Sequence, residues 1–232
     1  MYYGVIMKAF EKLPPQFQNA EVKRYYDRLK KKRVKIFLKR LLDILMSVIM
    51  LVFLIIPIAV ISIVVKATSK GPVMFRQERV TTYGKTFKIL KFRTMVVDAE
   101  RLGSQVTTEN DSRVTGVGKM LRKYRLDELP QIFNVLSGSM SIVGVRPEVP
   151  KYVNRYRDEY YATLLMPAGI TSPASIMYKD EDTLLAAGGD ADTIYIENIL
   201  PEKMKYNLNY IDNFGLFSDI GLMVKTVVEV FK

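Results

Sequence analysis

One stretch of the chain constrains the fold more than any other, the uncharged apolar run "ILMSVIMLVFLIIPIAVISIVV" from Ile44 to Val65. As a helix that rises about 1.5 Å per residue, these 22 residues cover the roughly 30 Å hydrocarbon core of a bilayer. The run begins too far into the chain and is too long for a cleavable signal peptide. The sequence therefore predicts a membrane helix that remains in the mature protein.

The residues around this run bear on its topology. Pro57 removes the helical hydrogen bond to the carbonyl of Phe53, which favours a break or a kink. Residues 28–40 contain eight basic and no acidic side chains, and the other flank carries Lys66, Lys70, Arg76 and Arg79. Both flanks therefore suit the same anionic cytosolic membrane surface. We expect a re-entrant helix that is broken near Pro57 and has both ends on the cytosolic face, with a kinked span as the alternative.

The composition narrows the chemistry that is available to the chain. It contains no cysteine and no histidine, so disulfides, thiolate zinc sites, cysteine nucleophiles and an imidazole base are excluded. A metal ion would need oxygen ligands, which points to magnesium, manganese or calcium. The formal net charge of +11 suits nucleic acid, an anionic membrane or phosphorylated substrates equally well.

The rest of the pattern predicts an α+β fold that is mainly helical. Branched and aromatic residues on either side of a glycine turn predict a small β-hairpin over residues 73–95. We expect a short helix over 126–138, capped by Asp127 and stopped by Gly138. Further expected elements are an amphipathic helix over 151–161, a loop over 166–176, and amphipathic helices over 197–214 and 218–232. The last two helices either lie in the membrane interface or pack on the core.

The dipeptide Asp127-Glu128 carries the strongest chemical signal, because Arg122, Lys123 and Arg125 come just before it. A helix N-cap is the usual role of such a pair. A Walker B strand is excluded because "LRKYRL" is not a buried apolar strand, and a glycosidase pair needs carboxylates that face each other across a sugar. The remaining interpretation is a carboxylate nucleophile for phosphorus beside a metal ligand, with arginines that neutralise phosphate and keep both acids ionised.

Three segments resemble the bacterial sugar transferase family, the monotopic polyprenol-phosphate phosphoglycosyl transferases. They are "FLKRLLDIL" ahead of the apolar run, "FKILKFRTM", and "LRKYRLDELPQIFNVLSGSMSIVGVRPE". The resemblance covers residues 35–230, and its central block is highly specific. It implies an N-terminal extension over 1–34, a basic flank and re-entrant helix over 35–66, and a cytosolic catalytic domain with C-terminal amphipathic helices over 67–232.

The resemblance also implies a reaction and a site. Family members transfer a sugar 1-phosphate from a UDP-sugar to polyprenol phosphate, such as undecaprenyl phosphate, and release UMP at the cytosolic face of the bacterial inner membrane. The implied nucleophile is Asp127, which would form a covalent aspartyl phosphosugar, and the implied Mg²⁺ ligands are Glu128 and Asp127. The residues at family positions that contact phosphate or line the active site are Arg122, Arg146, Lys91 and Arg93.

Three departures from the family pattern stand in the sequence. The usual Pro-Arg-Pro turn is Val145-Arg146-Pro147, and the usual serine before Pro57 is Ile56. The usual proline-glycine-isoleucine-threonine-glycine loop is "PAGITSPASIMY" over 167–178, which suggests a donor preference of its own.

Two alternatives stay open beside the phosphoglycosyl transferase. One is a polyprenol-phosphate glycosyl transferase, which would release UDP, and the other is a non-enzymatic basic protein of the membrane surface. Nucleic acid is disfavoured as a partner because the basic residues gather beside the apolar run and around Asp127 without a reading module.

Overall fold

The computed structural model describes residues 7–99, 111–178 and 190–230. Three predicted ranges include residues outside these: the extension over 1–34 at 1–6, the catalytic domain over 67–232 at 100–110, 179–189 and 231–232, and the last helix at 231–232. The fold is mainly helical α+β, as predicted. Its helices are α1 (Ala20–Lys31), α2 (Arg33–Thr68), α3 (Gly116–Lys123), α4 (Gln131–Ser137), α5 (Pro150–Val153), α6 (Pro173–Met177), α7 (Ala191–Ile194), α8 (Leu200–Asn213) and α9 (Leu216–Val230). The strands are β1 (Met74–Val80), β2 (Thr86–Phe92), β3 (Met140–Val143) and β4 (Ala168–Thr171).

Helix α2 contains the whole apolar run. Its 36 residues correspond to about 54 Å of helix, and its most apolar 18-residue window has a mean hydropathy of 3.3 and is 11% buried. By length and composition it is able to cross a membrane. Pro57 lies inside this helix, and the helical assignment continues across it, so the expected break near Pro57 does not interrupt the secondary structure. The re-entrant topology stays a prediction.

Both ends of α2 contact the same folded body. Near the N-terminal end, Arg40 donates hydrogen bonds to the carbonyls of Val135 and Leu136 in α4, at 2.7 and 3.1 Å. Near the C-terminal end, Val65 packs in one apolar cluster with Phe92 of β2 and Leu121 of α3. The residues before and after the apolar run therefore lie against one unit.

The predicted β-hairpin is confirmed. Strands β1 and β2 pair antiparallel, with Met74 opposite Phe92 and Val80 opposite Thr86. The turn between them includes Tyr83 and Gly84, both with positive φ, so the glycine supplies a conformation that other residues rarely adopt. The hairpin carries Lys91 towards the middle of the molecule.

The segment expected to be a loop over 166–176 contains a strand and a helix instead. Strand β4 pairs parallel with β3, and the ladder continues as Gly169 donates to the carbonyl of Val145 at 2.8 Å. A Cβ atom on Gly169 would lie 2.1 Å from the nitrogen of Gly144, so the two backbones approach closely because both residues lack side chains. The short strand is stabilised by this partner, which lies far away in sequence.

Two helix predictions need correction. Helix α4 begins at Gln131, after a 3₁₀ turn over Leu126–Glu128, so Asp127 is not its N-cap. The stop at Gly138 is confirmed, with φ of 86°. The helix expected over 151–161 ends at Val153 and is followed by a 3₁₀ segment over Asp158–Leu165. After Val153 the backbone tightens into three-residue turns, since the nitrogens of Arg155 and Tyr156 donate to the carbonyls of Tyr152 and Val153, both at 3.0 Å.

The described part of the expected N-terminal extension packs into the main core. Phe17, Val22, Tyr26 and Leu29 are buried there together with residues of α8. The two tail helices behave differently from each other. Helix α8 buries its apolar face in this core, whereas α9 exposes a stripe of large apolar side chains, namely Phe217, Ile220, Val224, Val227 and Val228.

Candidate active site

Asp127 and Glu128 lie together in the 3₁₀ turn between α3 and α4. The turn is entered through Arg125, whose φ of 54° is in the left-handed region and costs a non-glycine residue conformational energy. Asp127 and Glu128 are both buried, with exposed fractions of 6% and 8%. A sharp bend thus turns two adjacent carboxylates inward, where carboxylates are rarely found unless they are paired.

Two cations hold Glu128. Lys91 Nζ lies 2.9 Å from Oε1, Arg146 Nη1 donates to Oε2 at 3.1 Å, and Arg146 Nη2 donates to Oε1 as well. Burial opposes ionisation, but Arg146 and Lys91 outweigh it and hold the pKa of Glu128 well below its usual value. Glu128 is therefore ionised and ion-paired, as expected from its basic neighbours.

Asp127 is in a different electrostatic state. Among the described residues its buried Oδ1 has no hydrogen-bond partner. Burial and the charge of Glu128 raise its pKa, while Lys91 and Arg122 act in the opposite direction. The nearby cations thus lower the pKa of Asp127 as expected, but desolvation and Glu128 outweigh them and the net direction is upward. That both acids are ionised at neutral pH stays a prediction for Asp127. The result is a desolvated carboxylate oxygen that is available as a nucleophile or ligand.

Lys91 reaches the pair because α4 clamps strand β2. The Asn134 side chain accepts a hydrogen bond from the backbone nitrogen of Leu90 at 2.9 Å and donates one to the carbonyl of Lys88 at 3.0 Å. These two bonds fix the strand on both sides of Ile89 and place the next residue but one, Lys91, beside the turn that carries Glu128. The clamp depends on a buried asparagine in the helix that follows the carboxylate pair.

Arg122 lies near Asp127, the other carboxylate of the pair. It is in the last turn of α3, is half-buried, and donates from Nε to Oγ1 of Thr94 at 3.0 Å. It is one of the charges that lower the pKa of Asp127, which means that it lies within electrostatic range of that carboxylate. The structure thus brings together five of the six expected site residues, namely Asp127, Glu128, Lys91, Arg122 and Arg146.

Arg93 is the exception. Its guanidinium donates to the carbonyl and the hydroxyl of Ser69, both at 2.7 Å, and to the carbonyl of Pro72. It therefore caps the end of α2 and the turn behind it, and these hydrogen bonds direct its guanidinium to Ser69 and Pro72 instead of the carboxylate pair. Side chains alternate between the two faces of a strand, so a strand that continued past Lys91 would place Arg93 on the same face as Lys91. The strand ends at Phe92, however, and Arg93 takes a different direction.

Arg79 lies beside these residues and was not predicted to belong to the site. Its Nη1 donates to the carbonyl of Pro147 at 3.0 Å, and its charge acts on Glu148, Arg146 and Glu128. Burial lowers its pKa. The signal was present in the hairpin pattern, because the register places Gln77, Arg79 and Lys91 on one face.

The expected Mg²⁺ site does not fit these contacts well. Both oxygens of Glu128 are occupied by Lys91 and Arg146, whereas the buried Oδ1 of Asp127 has no hydrogen-bond partner among the described residues. Within the described parts of the chain, no cluster of three or more acidic groups is suited to hold an ion. Magnesium often takes only one or two protein carboxylates and completes its shell with substrate phosphates and water. A resident ion on Glu128 would first have to displace a cation.

Comparison with known proteins gives matches over most of the chain. The model of a family described as bacterial sugar transferase matches residues 34–232. A UDP-N-acetylgalactosamine-undecaprenyl-phosphate N-acetylgalactosaminephosphotransferase of Aeromonas hydrophila is 37% identical over 82% of this chain and 43% of its own length. Two UDP-glucose:undecaprenyl-phosphate glucose-1-phosphate transferases are similar too. That of Klebsiella pneumoniae is 38% identical over 85% of this chain and 41% of its own length. That of Escherichia coli (strain K12) is 36% identical over 84% and 40%. The chain thus spans about two fifths of these relatives.

Proposed function

The chain belongs to the bacterial sugar transferase family, and we propose that it transfers a sugar 1-phosphate from a UDP-sugar to polyprenol phosphate with release of UMP. The observation that carries this proposal is the buried Asp127, whose Oδ1 has no partner while basic residues surround the pair. The named relatives act on undecaprenyl phosphate with UDP-sugars, which supports the same acceptor and donor classes here.

In the first proposed step, the ionised carboxylate of Asp127 attacks the phosphorus that carries the sugar. An oxygen–phosphorus bond forms to Asp127, the bond from that phosphorus to the bridging oxygen breaks, and UMP leaves with the electron pair. In the second step, a phosphate oxygen of the polyprenol phosphate attacks the same phosphorus and releases the carboxylate. Both attacking groups are already anions, so the chain needs no imidazole base for either step.

The cations around the pair have separate parts in this proposal. Arg122 lies within electrostatic range of Asp127 and is held by Thr94, so it is placed to neutralise oxygens on the phosphorus under attack. Lys91 and Arg146 are paired with Glu128 and keep a positive field beside the reaction centre. Glu128 is then a positioning residue for these two cations. Arg93 is assigned to the end of α2 and has no part in the chemistry.

Mg²⁺ remains a prediction of the family resemblance. The diphosphate of a UDP-sugar can bring the ion with it, and within the described residues Asp127 is the carboxylate of the pair that is not held by an ion-paired cation. Because the oxygens of Glu128 are held by cations, no step of the proposal is routed through a metal ion.

The membrane topology is part of the proposal. Because both ends of α2 contact one folded body, the flanks of the apolar run belong on the same side of the membrane. This supports a re-entrant arrangement with the active site at the cytosolic face, where nucleotide sugars are present. Accessibility of tags at residues 1 and 232 tests it: protection of one tag in sealed vesicles with exposure of the other would overturn the arrangement.

The decisive experiment is a UMP-release assay with undecaprenyl phosphate, Mg²⁺ and a panel of UDP-sugars. We expect UMP with at least one donor, and a mass increase equal to one sugar phosphate on the intact protein when the acceptor is omitted. Release of UDP instead would indicate a glycosyl transferase that moves the sugar without its phosphate. Asp127→Asn should abolish both signals, whereas Asp43→Asn, a change at a buried carboxylate outside the site, should retain the adduct in the folded fraction.

A further inference from the structure

A second group of buried polar residues lies behind Arg146. Glu148 follows Arg146 by two positions, and its carboxylate accepts a hydrogen bond from the hydroxyl of Tyr195. Lys203 Nζ lies 3.0 Å from that hydroxyl and 3.6 Å from Glu148 Oε1. All three side chains are at least nine-tenths buried, with exposed fractions of 7%, 2% and 4% for Glu148, Tyr195 and Lys203. We call Glu148, Tyr195 and Lys203 the rear triad.

The rear triad is connected to the candidate site through the turn that carries Arg146. Strand β1 holds the backbone of this turn, since Arg79 donates to the carbonyl of Pro147 at 3.0 Å and the nitrogen of Val80 donates to the carbonyl of Glu148 at 2.9 Å. Tyr195 and Lys203 of the rear triad hold the side chain of Glu148, which lies at the end of the same turn. Arg146 therefore extends towards Glu128 from a turn that is fixed on both its backbone and its side-chain side.

Arg79 links the two groups electrostatically. Its charge acts on Glu148 and Tyr195 on one side and on Arg146 and Glu128 on the other. A buried ion pair is weak evidence for a contribution to stability, because desolvation cancels much of the attraction. Retaining a buried lysine, glutamate and tyrosine here is easier to understand if the group fixes the geometry of the neighbouring site.

The local structure at Tyr195 points in the same direction. Residues Tyr195–Ile199 form a π-helical turn at the start of α8, a conformation that is rare and frequent at functional sites. The Tyr195 ring packs against Tyr152 with ring centroids 4.6 Å apart, so the ring is held independently of its hydroxyl. Removing only the hydroxyl is therefore a mild change that breaks its bonds to Glu148 and Lys203 while the ring stays packed.

We propose that the rear triad positions Arg146 for the transfer, with Arg79 as the link. This inference rests on the proposed function, in which Arg146 keeps its charge beside the transferred phosphate. The C-terminal third of the chain then takes part in catalysis indirectly, through a turn that lies about 50 residues earlier in the sequence, as the separation of 47 residues between Glu148 and Tyr195 shows.

The test is a double-mutant cycle between Tyr195→Phe and Arg146→Ala. We expect Tyr195→Phe to lower kcat on the order of tenfold, with less than about a twofold change in KM for the UDP-sugar, because a misplaced group costs rate more than binding. In the Arg146→Ala background the same change should alter kcat by less than about twofold. If the fold-losses in kcat of the two single variants multiply fully in the double variant, the proposal is overturned.

Tyr210→Phe is the matched control. It removes a buried tyrosine hydroxyl that donates to the carboxylate of Asp219 at 3.0 Å, away from the candidate site. It should leave kcat of the folded protein unchanged and combine with Arg146→Ala in a multiplicative way. If Tyr195→Phe lowers the yield of folded protein, Glu148→Gln, which keeps the side-chain shape, serves in the same cycle.

A second readout does not depend on turnover. The rate at which phenylglyoxal modifies Arg146, followed by peptide mass spectrometry, should rise at least about threefold in Tyr195→Phe and stay constant in Tyr210→Phe, because positioning restrains the guanidinium. An unchanged rate would refute the positioning role whether or not UMP is released. A raised rate in a protein that releases no UMP from any donor would refute the proposed function alone.

Discussion

Two buried groups of charges in this protein look similar and differ in one respect. The site cluster consists of Asp127, Glu128, Lys91 and Arg146. The anchor cluster consists of Lys39 and Asp43 of α2, Ser141 of β3, Tyr210 of α8 and Asp219 of α9. Each cluster places two carboxylates among cations or hydroxyls in the interior.

The difference lies in the carboxylate oxygens. In the anchor cluster each one has a donor: Asp43 accepts from Ser141 at 2.8 Å and from the nitrogen of Ile142 at 3.1 Å. Asp219 accepts from Lys39 at 2.6 Å and from Tyr210 at 3.0 Å. In the site cluster Glu128 is satisfied in this way, but Oδ1 of Asp127 is not.

Burial raises the pKa of both Asp127 and Asp219, so desolvation alone does not mark the site. What distinguishes Asp127 is that its oxygen lacks the donors that Asp219 has. A complete set of partners stabilises a junction between elements, whereas we expect the unmet acceptor of Asp127 beside cations to serve the proposed reaction. The predictions that follow separate these two roles.

The largest effect is expected at Asp127. Asp127→Asn should lower UMP release by about 10³-fold or more, because the nucleophile is lost. The free energy of unfolding should stay equal or rise. A carboxyl whose pKa is higher in the folded protein binds its proton more tightly there, so its ionised form costs stability at neutral pH, and this cost disappears as the pH falls through the raised value. A large loss of stability would show that Asp127 is structural.

The next largest effect is expected at Lys39, and it concerns stability instead of turnover. Lys39→Met leaves Asp219 buried without its cation and should lower the free energy of unfolding in detergent by about 3–5 kcal/mol. The kcat of the folded fraction should not change. The double variant with Asp219→Leu should recover most of the stability, since replacing both partners by apolar groups is often neutral. A loss of kcat in a variant that is fully folded would contradict the view that the anchor cluster contributes only to stability.

The pH dependence provides a third, smaller comparison. Because the pKa of Asp127 is raised, its ionised fraction falls at a higher pH than that of an ordinary aspartate, whose pKa is about 3.9. The acid limb of kcat/KM should accordingly lie above that value and persist in Ser141→Ala, a variant of the anchor cluster. A limb at or below the ordinary value would show that the carboxylate is not desolvated during turnover.

The smallest effects are expected from removing one hydroxyl in each cluster. Ser141→Ala removes a donor to Asp43 and should cost about 1–2 kcal/mol of stability with unchanged turnover. Thr94→Val removes the partner of Arg122 Nε and should change kcat by a few-fold, on the order expected for one misoriented charge, with little loss of stability. If both variants affect only stability, Arg122 is not part of the site.

The local features of the fold were largely predictable. The apolar run predicted the long helix, the glycine turn predicted the hairpin, and Gly138 predicted the end of α4. These features depend on neighbours within a few positions. The predictions that were wrong depend on distant partners: the strand Ala168–Thr171 exists because β3 pairs with it, and the chain after Val153 leaves the α-helical path for a 3₁₀ segment that packs against α1.

The same distinction between local and distant determinants applies to the candidate site. The carboxylate pair with its preceding arginines was visible in one continuous segment, and the family resemblance added Lys91 and Arg146. Arg93 was predicted beside them, but it bonds to Ser69 and Pro72 instead. Arg79 was overlooked as a site residue because its role appears only when the hairpin register is combined with the position of Pro147.

The sequence by itself determined that this chain has a helix long and apolar enough to cross a membrane and carries two adjacent acids among basic residues, because hydropathy and motif spacing are properties of short segments. Only the tertiary structure decided which acid is paired and which has an unmet oxygen. Those states depend on contacts such as Lys91 with Glu128 across 37 residues and Lys39 with Asp219 across 180. The desolvation and charge that set a pKa come from everything packed around the group, and such packing exists only in the folded chain.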